Sequence, residues 1–308
     1  MDKFLIAVKN DINSSLESIP EKYFDFKKNF TDPLGKATRT RFAYHIADAL
    51  AIDTDKIIKI ASSAELIHLA SLLHDDCVDD GVKRRGNPTI NFTFGLNMAI
   101  LVGDFTAAIA FRKANSISSD ISFSLADCVE DMSKGALLEE NSRYKIISSD
   151  IYSEVISLKT TPLFKWIASS CGLISGGRFS RELERISDSF GMSFQIIDDI
   201  LDISGDENSI GKDTFKDILE GKINYPVLLS LDVDYVKKRI EVFFNDRTDL
   251  TPLYEIKKYI IENGYIEKAR DRALKLIKEV ETDVLKLPNK KAAVELYNFM
   301  YSMTEREK

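Results

Sequence analysis

Residues 57–80, IIKIASSAELIHLASLLHDDCVDD, decide the fold. Ile60, Ala64, Ile67, Ala70 and Leu73 fall on one helical face, while Ile58, Leu66, Leu69 and Leu72 fill others. A helix that is apolar on several sides must be buried. The spacing therefore predicts a core helix that ends in aspartates. The rest of the 308-residue chain fits the same class: 14 Gly and 7 Pro are too few and too scattered to interrupt long helical windows. In 265–285, Ala269, Ala273, Ile277, Val280 and Val284 share a face while Lys268, Arg272, Lys275 and Lys278 occupy others, the pattern of an amphipathic surface helix. Breaks fall at Asp32-Pro33, Gly86-Asn87-Pro88, Gly176-Gly177, Gly205, Asn263-Gly264 and Pro288. Period-two runs are few, and no repeat or low-complexity linker stands out. The expectation is one all-α domain over 1–308, a layered helical bundle around a central cavity.

Composition removes several function classes. The net charge is -7 and no basic stripe interleaves with aromatics, which argues against a nucleic-acid partner. Cys77, Cys128 and Cys171 lack metal-ligand spacing, and a sparse odd count fits a reducing compartment. The opening MDKFLIAVKNDINSS has too short an apolar run for a signal peptide, and no window approaches 18 apolar residues. A cytoplasmic protein without a transmembrane segment is expected.

Chemistry enters with the aspartates. Asp75 and Asp79 close the core helix four residues apart, hence about 6 Å apart along one face. Like charges at that spacing disfavour a helix. Asp198, Asp199 and Asp202 repeat the spacing inside the apolar window 190–203. One D-D-x-x-D is most often a solvated helix end; two in apolar helices call for a cation. Oxygen-only donors favour a hard ion, and Mg2+ takes one or two carboxylates with substrate phosphates and water. Lys83-Arg84-Arg85 follow closely, and arginine suits bidentate phosphate recognition. Alone, such a triplet is as often a surface charge run.

These residues carry a resemblance. Residues 65–80 followed by Arg84-Arg85-Gly86-Asn87-Pro88-Thr89 resemble the first motif region of trans-isoprenyl diphosphate synthases, the polyprenyl synthetase family, most like its long-chain octaprenyl-type members. Residues 191–202 resemble the second motif, Gly211-Lys212, Asp217 and Glu220-Gly221-Lys222 the loop after it, and Lys159-Thr160-Thr161 a further element. The likeness runs from about Gly35 to the final helix, with Leu287-Pro288 in the expected place.

The resemblance implies an isoprenoid-synthase fold and assigns Asp75, Asp79 and Asp198 to about three Mg2+ ions, with Asp76, Asp199 and Asp202 in support. It gives Arg84, Lys159, Lys212 and Lys222 to the allylic diphosphate, with Gln195 and Thr160 as neutral hydrogen-bonding groups. Lys36, Arg39, His68 and Arg85 resemble the isopentenyl diphosphate site; without the resemblance, His68 reads as a core histidine. A homodimer is implied, as is transient membrane contact for product release. Breaking the allylic carbon–oxygen bond moves negative charge onto diphosphate, so cations fixed in a dry pocket stabilise the transition state. Apolar walls keep water from the allylic cation. Related short-chain synthases carry bulky aromatics four or five residues before the first aspartate, where this chain has Ser71 and Ala70 above Ile67. A long, quinone-type product is the expectation; a farnesyl or geranylgeranyl product is the alternative.

The chain departs from the pattern in three places. Gly35-Lys36-Ala37-Thr38-Arg39-Thr40 lacks the second glycine and the proline, Lys134-Gly135-Ala136 lacks the acidic pair around glycine, and Phe215 stands where a glycine is usual. Two rivals remain. A terpene cyclase usually mixes Asn or Asp with Ser or Thr and Glu in its second motif, and a non-catalytic scaffold subunit is expected to have lost a cluster. Both clusters are intact and acidic here.

Overall fold

The computed structural model describes residues 1–29, 34–84, 86–204 and 215–306. In chain order the helices are α1 (Asp2–Glu17), α2 (Phe26–Asn29), α3 (Thr38–Ala49), α4 (Ile58–Val78) after a 3-10 turn, α5 (Ile90–Phe94) and α6 (Leu96–Asn115). Next come α7 (Ser119–Ser142), α8 (Ser149–Lys159), α9 (Thr161–Ile174), α10 (Ser180–Ile203), α11 (Lys216–Leu219) and α12 (Tyr225–Ser230). The last are α13 (Asp234–Asn245), α14 (Thr251–Glu262), α15 (Tyr265–Glu279), α16 (Glu281–Lys286) and α17 (Lys290–Thr304). Among the described residues the only sheet is a two-residue antiparallel pair, β1 (Lys83–Arg84) and β2 (Asn87–Pro88). The fold is all-α, as the apolar spacing predicts.

The chain divides into two compact units. The first comprises Met1–Val129, Trp166–Ser180 and Leu287–Leu296. In it α4 packs along α6, with Ile60, Ala64, Leu66, Ile67, Ala70 and Leu73 buried. The approach is close enough to require glycine: a Cβ on Gly103 would lie 2.4 Å from His74 Nε2. That ring nitrogen sits 3.3 Å from the Ile100 carbonyl and 3.4 Å from the Asp104 carboxylate, so the residue before Asp75 is held against α6.

Contrary to the expectation from composition, the helical stretch Thr54–Val78 is long and apolar enough to cross a membrane, 25 residues at a mean hydropathy of 1.2. However, 61% of its window is buried inside the protein. It also carries the buried Glu65, whose carboxylate accepts from Thr40 and is placed for a protein interior rather than lipid. A core helix is long and apolar for the same reason, a need for apolar surroundings.

The second unit comprises Glu130–Lys165, Arg181–Lys286 and Tyr297–Lys308. Ile203, Phe215, Ile218, Val227, Ile240, Phe243, Leu253 and Ile256 form one core. Ile196, Ile197 and Ile200 of α10 pack on Ala269, Ala273 and Leu276 of α15 in another. The amphipathic segment 265–285 is two helices broken at Val280, yet Ala269, Ala273, Ile277, Val280 and Val284 are all buried as the pattern predicts. Ser148 and Asn224 cap α8 and α12 by accepting from Ile151 N at 3.3 Å and Val227 N at 3.3 Å. Phe215 adopts a left-handed backbone (φ 59°), a region that glycine enters without strain, with its ring fully buried in the first of these cores.

Candidate active site

In the first unit, the end of α4 carries Asp75, Asp76 and Asp79. Asp75 and Asp79 are half-buried, whereas Asp76 is buried and turned to Arg84. Arg84 Nε donates to both Asp76 carboxylate oxygens at 3.1 and 3.0 Å, and its Nη2 donates at 2.8 Å. Burial opposes the guanidinium charge, but the hydrogen bonds and charge of Asp76 and the fields of Asp75 and Asp79 outweigh it and hold the pKa up. Asn91 Nδ2 donates to the Asp76 carbonyl at 2.9 Å, tying the turn to α5. Asp76 thus fixes the turn and its arginine, while Asp75 and Asp79 retain partial solvent access. Arg85 lies outside the described residues.

The isopentenyl diphosphate positions also lie in this unit. Lys36 is exposed in the loop before α3, Arg39 is in the first turn of α3, and His68 is half-buried on α4. Glu65, buried one turn before His68, accepts from Thr40 N at 2.9 Å and Thr40 Oγ1 at 2.7 Å. This bond anchors the residue after Arg39 to the helix bearing His68. Sequence reasoning missed Glu65, although one acid in an apolar window is a legible signal. Where the second glycine is absent, Ala37 takes φ 53°. A left-handed alanine costs about 1–2 kcal/mol, and the Glu65 anchor helps to offset it.

In the second unit, α10 aims its three aspartates differently. Asp198 is 37% exposed at its side chain and pairs with Arg306 Nη2 at 3.2 Å. Asp199 is buried and accepts three bonds: from Tyr152 Oη at 2.7 Å, Tyr225 N at 2.8 Å and Gln195 Nε2 at 2.9 Å. Burial pushes its carboxyl up to about 7 against those bonds. Asp202 accepts from Lys216 N at 2.9 Å and Asp217 N at 3.3 Å, so it caps α11; burial raises its pKa as well. Asp217 is pushed well above the usual carboxylate range by burial and by the charges of Asp202 and Asp199. Of the three aspartates in this motif, Asp198 is the most exposed, while Asp199 is buried and Asp202 is tied to the start of α11.

Of the remaining assigned groups of this unit, Gln195 and Lys222 line a solvent-open cleft, with Glu139, Tyr152, Asp199 and Asp217 among its other walls. Lys159 Nζ lies 2.6 Å from Glu139, and Lys222 Nζ lies 3.9 Å from Glu139 and 2.8 Å from Glu220. Glu139, which contacts both lysines, is a carboxylate the sequence reading did not single out. Thr160 Oγ1 donates to Gln195 Oε1 at 2.7 Å, so the only hydroxyl proton of Thr160 is spent on Gln195. In this arrangement Thr160 offers lone pairs and Gln195 offers the donor. Lys134, at the departure around Gly135, pairs with Glu130 at 2.8 Å on its own helix. Gly135 lets α7 meet the backbone of Lys159: a Cβ there would lie 2.6 Å from Lys159 N. Lys212 lies outside the described residues.

No group of three His, Cys, Asp or Glu side chains converges tightly enough to hold a metal alone among the described residues. Half-buried Asp75 and Asp79, all-oxygen and a turn apart, fit a hard cation that takes part of its shell from substrate phosphates.

The description of the polyprenyl synthetase family matches residues 21–259. An all-trans-nonaprenyl-diphosphate synthase (geranyl-diphosphate specific) of Rhodobacter capsulatus is 36% identical over 221 residues, 70% of this chain and 67% of its own. A geranylgeranyl diphosphate synthase of Saccharolobus solfataricus is 30% identical over 293 residues, 89% of this chain and 87% of its own. The crystal structure of a decaprenyl diphosphate synthase from Rhodobacter capsulatus matches with a TM-score of 0.89 at 25% identity, covering 100% of this chain and 97% of that one. With both aspartate motifs inside the matched span, the chain belongs to the polyprenyl synthetase family of prenyl-transferring enzymes.

Proposed function

We propose that the protein is a Mg2+-dependent trans-prenyltransferase that condenses isopentenyl diphosphate with an allylic diphosphate primer to make a long polyprenyl diphosphate of the quinone side-chain type. One observation carries the long-chain reading: the α4 positions four and five residues before Asp75 hold only Ser71 and Ala70. Ala70 and Ile67 are buried, and Ser71 spends its hydroxyl on the His68 carbonyl at 2.9 Å. No bulky side chain stands there to stop a growing chain. The geranylgeranyl-producing relative keeps a short-chain product as the second reading.

In this reading Asp75, Asp79 and Asp198 are metal ligands, Asp76 and Asp202 hold the turns that follow them, and Asp199 supports the site through its bond to Gln195. Mg2+, when bound, neutralises the diphosphate and takes up charge as it leaves. Lys159 and Lys222 exchange Glu139 and Glu220 for diphosphate oxygens. Gln195 donates to the same group, while Lys36, Arg39 and His68 orient isopentenyl diphosphate. The enzyme acts in the cytoplasm and meets a membrane only to release product.

Purified protein given Mg2+, radiolabelled isopentenyl diphosphate and an allylic primer is expected to yield linear products, resolved by mass spectrometry. Cyclic hydrocarbons, or no turnover without an added partner, would defeat the assignment. Ala70→Phe is expected to shift the products to shorter chains, and an unchanged distribution would remove α4 from length control.

A homodimer accompanies this reading. The α6 residues Ile100, Leu101 and Phe105 are 39%, 63% and 47% exposed, and Phe92 and Phe94 of α5 are exposed as well, apolar surface that a second copy would cover. Leu101→Asp with Phe105→Asp is expected to convert the dimer to monomer in light scattering. A dimer that survives both changes assembles through another face.

A further inference from the structure

We infer that Tyr152 is a positioning residue for prenyl transfer: through Asp199 it fixes the amide of Gln195 so that one Gln195 N–H is presented to the allylic diphosphate. The inference rests on the reading above that Gln195 serves that diphosphate. Tyr152 is buried on α8, with its ring 5.3 Å from that of Tyr225 and its hydroxyl 2.7 Å from Asp199 Oδ2. The same oxygen accepts from Tyr225 N at 2.8 Å, so Asp199 is clamped from two elements. Its other oxygen, Oδ1, faces Gln195 Nε2 at 2.9 Å.

In its ionised form Asp199 only accepts, so the Gln195 atom beside it is nitrogen and the amide is held in that orientation. With nitrogen there, Oε1 faces Thr160 and takes its proton at 2.7 Å. The relay runs Tyr152 to Asp199, Asp199 to Gln195, Gln195 to Thr160. Both Asp199 oxygens and the Gln195 oxygen are occupied within it. The second Gln195 N–H has no further hydrogen bond among the described residues, and Gln195 lines the cleft that also holds Lys222. A fixed N–H donor beside a phosphate-binding lysine strengthens as charge grows on a leaving diphosphate, without reorganisation.

Steady-state kinetics of four proteins test this: wild type, Tyr152→Phe, Gln195→Ala and the double variant, with thermal melts as the fold control. Tyr152→Phe is expected to lower kcat/KM for the allylic primer about tenfold and to leave the KM for isopentenyl diphosphate unchanged. Gln195→Ala is expected to cost about a hundredfold. In that background Tyr152→Phe should cost nothing more, since the hydroxyl acts only through Gln195. Losses that multiply in the double variant would overturn the inference. A Gln195→Ala enzyme of full activity would instead overturn the reading of Gln195 on which the inference stands. Should Tyr152→Phe melt below the assay temperature, the cycle is run at a temperature where the variant is folded, and the same lack of additivity must appear there.

Discussion

Asp75→Ala is expected to lower kcat by about a thousandfold or more, because it removes an anchoring oxygen from the cation that stabilises the departing diphosphate. The melting temperature of the metal-free protein should not fall with it. Asp75 and Asp79 repel each other across one helical turn, and relieving a like-charge pair at that spacing returns about 0.2–0.5 kcal/mol to the helix. Asp76→Ala should behave in the opposite way. Asp76 is buried and bonded to Arg84 in two-pronged fashion, so its loss loosens the turn after α4 and lowers the melting temperature along with activity. Steady-state rates at saturating substrate, with melts in chelator, separate the two. Less than a tenfold loss from Asp75→Ala would sink the metal assignment.

Gly135→Ala is expected to cost both stability and rate. In most helices the change helps, since alanine exceeds glycine by about 1 kcal/mol in helix propensity. Here the added Cβ would meet Lys159 N at 2.6 Å and the Leu158 carbonyl carbon at 2.7 Å, atoms of the backbone that no rotamer change can move. Overpacking of this kind costs about 1–3 kcal/mol, so the overlap exceeds the propensity gain. The shift lands on Lys159 and Thr160, and a misplacement near 1 Å can cost about a hundredfold in rate. Differential scanning calorimetry and kcat together check it; an unchanged melt with full activity would show that α7 and α8 have slack there.

How much of this was legible in the sequence depends on how local each feature is. The α4 helix, its aspartates and the α15 face follow from periodicity that any window reveals. Glu65 was legible in kind, as a charge amid apolar residues, though its partner Thr40 lies 25 positions away. The Tyr152–Asp199 bond spans 47 positions and leaves no trace in local spacing. Counting aspartates also could not tell the more exposed Asp198 from the buried Asp199 or from Asp202, which caps α11. The division into two units is equally silent, because the boundaries at 129/130 and 165/166 fall within α7 and α9, where no turn residue marks them.

Phe215 illustrates how a single replacement becomes entrenched. Its left-handed backbone costs about 1–2 kcal/mol, a burden that glycine escapes. Emptying a fully buried ring from the core would cost about 3–5 kcal/mol, so a change to the glycine usual in the family pattern would harm the protein. Consensus engineering, which usually stabilises, is expected to go wrong at this position, since the neighbouring side chains have packed around the exception.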